Sequence, residues 1–192
     1  MNRTWIKYFC GWAKCKLNHI QQKGNCYVGI NVKVVNRGGK IMLGKNVIIR
    51  PSTFLCAHCS NSELQIAEDA EIGNHSTISC FNKIYVGRGV LTGPHVWIGD
   101  NNHKYENPHI PIKFQGVQIK KGDRVLIDSG TWIGTNVVVV GNVRIGKNCV
   151  IGANSVVTKD IPDYCVAVGI PAKVVKRYNF DTKCWERVSS KS

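Results

Sequence analysis

The chain has 192 residues, among them nine scattered cysteines, and its 26 basic against 12 acidic residues give a net charge of +14. The length fits one domain, the longest purely aliphatic run (Val137 to Val140) is far too short to span a membrane, and an odd cysteine count argues against a disulfide framework. The charge calls for an anionic ligand or surface, but the basic residues are dispersed and match no nucleic-acid module, so nucleic acid is not expected as a partner.

In chain order, residues 1–25 carry Trp5, Phe9, Trp12 and Lys16 at alternating four- and three-residue spacing, with Lys7 and Lys14 nearby. This spacing predicts a short amphipathic basic helix. It is expected to cap the open end of the core that follows, with peripheral membrane contact as the second reading of the same surface. The start of the chain has no apolar segment of signal-peptide length, and the expected location is the cytoplasm, with the inner face of the membrane as the site of any such contact.

A six-residue period then takes over. Leu43, Ile49 and Leu55 open it; Ile66, Ile72, Ile78 and Ile84 form a second series; Val86, Thr92 and Ile98 form a third, shifted by two residues. Ile127, Ile133, Val139, Ile145, Ile151 and Val157 then run unbroken. A helix repeats at about 3.6 residues and a plain strand at about 2, so neither yields this pattern. A backbone that turns a corner every six residues does, with each aliphatic side chain pointing into a common axis. Four residues after these positions stand small or β-branched groups such as Thr53, Ala70, Ser76, Thr131 and Ser155, which suit the tight inside of a corner. A β-sandwich would repeat at about 8–12 residues. The expected fold is therefore all-β, a parallel β-helix over residues 26–168.

Two further segments break the period. Between Ile98 and Ile119 the sequence GDNNHKYENPHIPIKFQG is polar and proline-bearing, so residues 100–118 are expected to leave the rod as a loop, where chemistry commonly sits. From Gly169 the run GIPAKVVKRY passes into FDTKCWERVSSKS, predicting that the coil ends and the tail, 169–192, doubles over a surface. Cys56 and Cys59 form a single CxxC. With no second pair to complete four ligands, it reads as structural.

The ordered set VLTGPHVWIGDNNH, PIKFQG, TWIGTNVVV, GNVRIGKNCVIGANSVVTKDIP and GIPAKVVK resembles the hexapeptide-repeat O-acetyltransferases, the group of maltose and galactoside acetyltransferases and polysaccharide-modifying relatives. The resemblance covers roughly residues 41 to 178. It implies a left-handed β-helix, an exception to the right-handed crossover preference, assembled as a homotrimer with active sites between subunits. It also implies acetyl-CoA as acyl donor, with no metal.

Transfer from a thioester to a sugar hydroxyl requires the alcohol to lose its proton as it attacks, a task suited to an imidazole near neutral pH. The resemblance assigns that role to His103. Asp100 and Glu106 are the nearby carboxylates able to hold such a ring. Thr135, after the WIG triplet, is the expected oxyanion donor through its amide, and Trp132 is expected to line the pantetheine channel or simply to cover a coil edge. Ala153, Thr158, Lys159, Lys173 and Lys176 match cofactor-contacting positions; Lys173 stands where galactoside-type enzymes tend to carry arginine, which removes a bidentate phosphate contact. Asn82, His75 and His95 are the candidates for a sugar or glycan-precursor acceptor. Two other readings compete: a γ-type carbonic anhydrase-like metalloenzyme, for which a convincing third histidine is missing, and a non-catalytic basic β-helix that binds anionic polymer.

Overall fold

A computed structural model describes residues 11, 13, 15–17, 19–120 and 122–188. Trp5, Lys7, Phe9, Trp12 and Lys14 lie outside the described residues. Residues 11, 13 and 15–17 are helical, and Cys15 and Ile20 join the apolar core at that end.

The chain winds as an all-β, left-handed parallel β-helix of three faces. Sheet A holds, in spatial order, Gln21–Gln22, Lys40–Leu43, Glu63–Ile66, Lys83–Val86, Arg124–Ile127 and Val143–Ile145. Sheet B runs from Tyr27–Val28 through Ile48–Ile49, Glu71–Ile72, Leu91–Thr92, Trp132–Ile133 and Val150–Ile151 to Cys165–Val168. Sheet C holds Lys33–Asn36, Phe54–Ala57, Thr77–Cys80, Trp97–Gly99, Val138–Val140 and Val156–Val157. Each strand pairs in parallel with its counterpart one coil away, as in Ile78 beside Ile98 and Ile98 beside Val139.

The residues spaced by six are the ones that fill the axis. Ile49, Ile66, Ile72, Ile78, Ile127, Ile133 and Ile151 are all fully buried, and so are the corner residues Thr53, Ala70 and Thr131. Stacking like side chains removes apolar surface from water at every coil, which is why no single globular core is needed. The register refines one series: Val86, not Ile84, lies beside Ile66, while Ile84 lies beside Leu64. Sheet A strands thus send two side chains inward, and the corner between sheets C and A absorbs the two-residue shift.

The corner from sheet B to sheet C repeats one backbone device. Asn31, Ser52, His75, His95, Asn136 and Asn154 all stand there with φ between 55° and 59°, a left-handed conformation that Asn and His adopt more readily than most residues. Just before it, Gly73 is obligatory for space, because a Cβ there would lie 2.1 Å from the Gly93 carbonyl oxygen.

The outer faces differ in polarity. Sheet A presents Lys40, Glu63, Lys83, Arg124 and Arg144, with ion pairs such as Lys83–Glu63 at 3.3 Å. Sheet B presents Tyr27, Ile48, Leu91, Trp132, Val150 and Val166, and sheet C presents Phe54, Thr77, Trp97, Val138 and Val156. Two neighbouring faces of the prism are therefore mostly apolar, with Glu71 on sheet B and Lys33 on sheet C as charged exceptions, and the third carries most of the charge.

Candidate functional site

An ordered arm leaves the rod where sheet C turns toward sheet A. Asn102–His103 pairs antiparallel with Val117–Gln118, and the Lys104 N–H donates to the Gly116 carbonyl at 3.1 Å. Gln115, at the end of the single-turn helix Ile112–Gln115, knots the tip: its amide nitrogen donates to the carbonyls of Asn107 (2.8 Å) and Ile110 (2.7 Å), and its oxygen accepts the Asn107 N–H at 3.1 Å. Both Glu106 oxygens are engaged within the arm, by Gln118 Nε2 and the Tyr105 N–H, each at 3.0 Å. The arm carries exposed apolar groups, Phe114 at 73% and Tyr105 at 63% exposure among them. His103 is exposed near its base.

Asp100 is only 1% exposed. It follows the inward Ile98 by two residues and so points into the rod. Its carboxylate accepts the N–H groups of Phe81 (2.8 Å), Asn82 (2.7 Å) and Lys83 (2.7 Å) from the coil below. Burial raises its pKa, and the three amides oppose that rise. Its hydrogen bonds thus serve the corner from which the arm departs rather than the ring of His103. Asn82 adds a second brace, donating Nδ2 to the Lys120 carbonyl at 3.0 Å where the arm returns. Asp100, Asn101, Asn102, Gln118, Lys120, Asp123, Gly141 and Asn142 line a hollow of about 230 Å³ at the base of the arm.

The expected site residues fall on two edges of sheet C. Thr158 and Lys159 directly follow Val156–Val157, on the same edge as the arm and Asn82. Thr135, Ala153, His75 and His95 lie at the opposite edge, the corner from sheet B to sheet C. His75 and His95 stack there with ring centroids 5.1 Å apart. The Thr135 N–H makes no hydrogen bond within the described residues, while its carbonyl accepts from the Asn154 N–H at 2.9 Å. Trp132, 50% exposed, lies on sheet B beside the equally open Leu91.

The tail extends sheet B. After Cys165–Val168, the strand Lys173–Asn179 turns back antiparallel and is followed by Cys184–Arg187. Lys173 lies beside Val168 and Lys176 beside Val166, so both candidate cofactor lysines sit along the sheet that carries Trp132. Tyr178 packs edge-on against Trp185 and Phe180.

All eight described cysteines are free. The Cys59 thiol donates to the Phe81 carbonyl at 3.3 Å, and burial raises the pKa of Cys56. Beside them His58 stacks on Phe81 at 4.0 Å, with Nε2 3.0 Å from Ser79 Oγ, and burial together with Arg37 lowers its pKa. Among the described residues no three His, Cys, Asp or Glu side chains are grouped to hold a metal ion.

The bracing role of Gln115 and Gln118 escapes sequence reasoning because nothing in the arm is periodic. The inward direction of Asp100 was readable, since it stands two residues after the inward Ile98.

Residues 124–159 match the bacterial transferase hexapeptide family, six repeats. The chain is 33% identical over 160 residues to WbbJ of Escherichia coli, whose name assigns it to O-acetyl transfer in lipopolysaccharide biosynthesis, covering 80% of each chain. It is 36% identical over 138 residues to the galactoside O-acetyltransferase of Lactococcus lactis, covering 71% of this chain and 63% of that one. It spans from about half to four fifths of the length of the curated relatives it matches. Its fold is also that of AntD, an N-acyltransferase from Bacillus cereus solved with dTDP and 3-hydroxybutyryl-CoA, with a TM-score of 0.67, 19% identity and 92% coverage of both chains. A six-residue period that fills the rod, an arm at one corner and a 33% identical relative covered over four fifths of its length together make this chain a member of the hexapeptide-repeat acetyltransferase family.

Proposed function

We propose that the protein is an acetyl-CoA-dependent O-acetyltransferase whose acceptor is a hydroxyl of a sugar or surface-glycan precursor, and that it works as a cytoplasmic homotrimer. The observation that carries this reading is the division of the candidate residues between the two edges of sheet C. In one chain, His103, Thr158 and Lys159 are separated from Thr135, Ala153 and Trp132 by the width of a sheet. A ring of copies with head-to-tail contacts brings one edge of each chain against the other edge of its neighbour. The mostly apolar outer faces of sheets B and C support such a contact, since large exposed apolar areas mark interaction surfaces.

In that arrangement the acceptor hydroxyl passes its proton to the His103 imidazole while its oxygen attacks the thioester carbonyl. The Thr135 N–H, which has no partner in the described chain, receives the developing oxyanion. Collapse breaks the C–S bond, and the leaving thiolate takes the proton from the imidazolium. Asp100 acts as a positioning residue, by fixing the corner that launches the arm. CoA bound to AntD and the names of the galactoside and lipopolysaccharide relatives support the donor and the acceptor class.

Complementation tests the reading. Two variants, His103→Ala on the arm edge and Ala153→Trp on the opposite, exposed edge, are expected to be inactive alone with acetyl-CoA and a glycan acceptor. Unfolded together and refolded as mixed oligomers, they regain activity, because some interfaces then combine an intact arm with an intact groove. Mixed oligomers that stay as inactive as their parents would overturn the inter-subunit site.

A further inference from the structure

The terminal hairpin holds an arrangement that neither the six-residue period nor the family motifs account for. Lys176 lies directly opposite Arg187 across the antiparallel ladder. Like charges in that relation repel and cost stability unless a counter-charge lies between them. On the other face of the same hairpin the opposed pair is Arg177 and Glu186, of complementary sign. The Glu186 carboxylate is held there, accepting from Asn179 Nδ2 at 3.0 Å and Thr182 Oγ1 at 2.8 Å, so it does not neutralise Arg187 from behind.

Around the like-charged pair is a groove of about 500 Å³ lined by Lys173, Val174, Val175, Lys176, Arg187 and Val188. Three cations and no carboxylate line it. None of the three forms an ion pair among the described residues. Valine side chains supply an apolar floor, and Tyr178 and Trp185 continue the same face of the ladder, packed edge to face at 5.4 Å. A groove that joins unpaired cations to apolar and aromatic surface suits a ligand with phosphates at one end and a ring or thin chain beside them.

We infer that Arg187 is a phosphate ligand for the nucleotide end of the thioester donor, completing a cradle with Lys173 and Lys176. The inference rests on the acetyl-CoA reading above. The guanidinium offers the planar, two-pronged donor set that a lysine at position 173 lacks. The terminal strand therefore becomes part of the donor site, and the tail is more than a cover on the last coil.

Titration calorimetry with CoA on the full-length protein tests this. Arg187→Ala should weaken CoA binding about tenfold, the effect of one charge-assisted hydrogen bond, and Arg187→Lys should recover part of it. Lys183→Ala removes an equal charge from the hairpin turn, away from the groove, and is expected to bind CoA as the parent does. The disadvantage of S-acetylpantetheine, which lacks the nucleotide, relative to acetyl-CoA should shrink by about the same tenfold in the Arg187→Ala protein, Lys173 and Lys176 accounting for the rest. CoA affinity unchanged within about twofold in Arg187→Ala would overturn the role of Arg187 while leaving the donor reading intact. A folded parent protein that does not bind CoA would overturn both.

Discussion

The carboxylate of Asp100 accepts the main-chain N–H of Asn82 at 2.7 Å, tying the point where the arm departs to the coil beneath it. Two further amides, of Phe81 and Lys83, converge on the same group. An amide side chain at position 100 would turn an N–H₂ toward these donors. Asp100→Asn is therefore expected to destabilise the protein by about 2 kcal/mol, the scale of leaving buried donors unpaired, and to lower transfer through a loosened arm. Denaturant titration alongside acetyl-transfer kinetics measures both, and a variant as stable as the parent would refute the bracing role.

His103 contributes to folding through its main chain, pairing with Val117 and donating its N–H to Asn102 Oδ1 at 2.9 Å. Its exposed side chain can be removed without disturbing either. His103→Ala should keep the parent melting temperature and lose about 10²- to 10⁴-fold in transfer rate, the range ascribed to a positioned general base. Near-normal turnover would show that the proton goes elsewhere.

Gly73 stands where the next coil's backbone leaves no room for a side chain. A methyl group there would lie 2.1 Å from the Gly93 carbonyl oxygen, and a shift of the Gly73 backbone would strain the 2.8 Å hydrogen bond from its N–H to Thr92 Oγ1. Gly73→Ala should cost about 1–3 kcal/mol or more, as overpacking does. Thermal unfolding reads it directly, and an unchanged midpoint would mean that the corner can open.

Asp163 accepts the Lys147 N–H at 3.0 Å and pairs with Arg144 at 3.1 Å, while Arg144 also pairs with Asp128. Chiefly the Lys147 N–H, together with Arg144, lowers the Asp163 pKa below its usual 3.8. Its contribution is complete above pH 3.8 and disappears as pH falls through the lower folded-state value. The pairs are partly solvated, so the contribution is about 0.5 kcal/mol. Asp163→Asn should melt below the parent at pH 7, with the gap closing under acid conditions; a gap that widens on acidification would contradict the assignment.

The inward stack was legible because a period of six has one structural solution, and Ile49, Ile72, Ile133 and Ile151 all occupy it. His103 on a loop was legible for the opposite reason, as the place where the period fails. Asp100 was harder: its nearness to the loop suggests catalysis, whereas its parity with Ile98 sends it inside. His75 and His95 occupy the same left-handed corner slot as Asn136 and Asn154, so a backbone requirement alone accounts for their position. Arg187 gave no signal, since only the folding back of the tail sets it opposite Lys176.

The parallel ladder continues across the arm as if it were not there: Lys83 lies beside Arg124 and Ile98 beside Val139, although some twenty residues of insert separate the two coils in sequence. The insert is therefore a cassette: the coils on either side close on each other without it, so its length and sequence can change while the rod keeps its register.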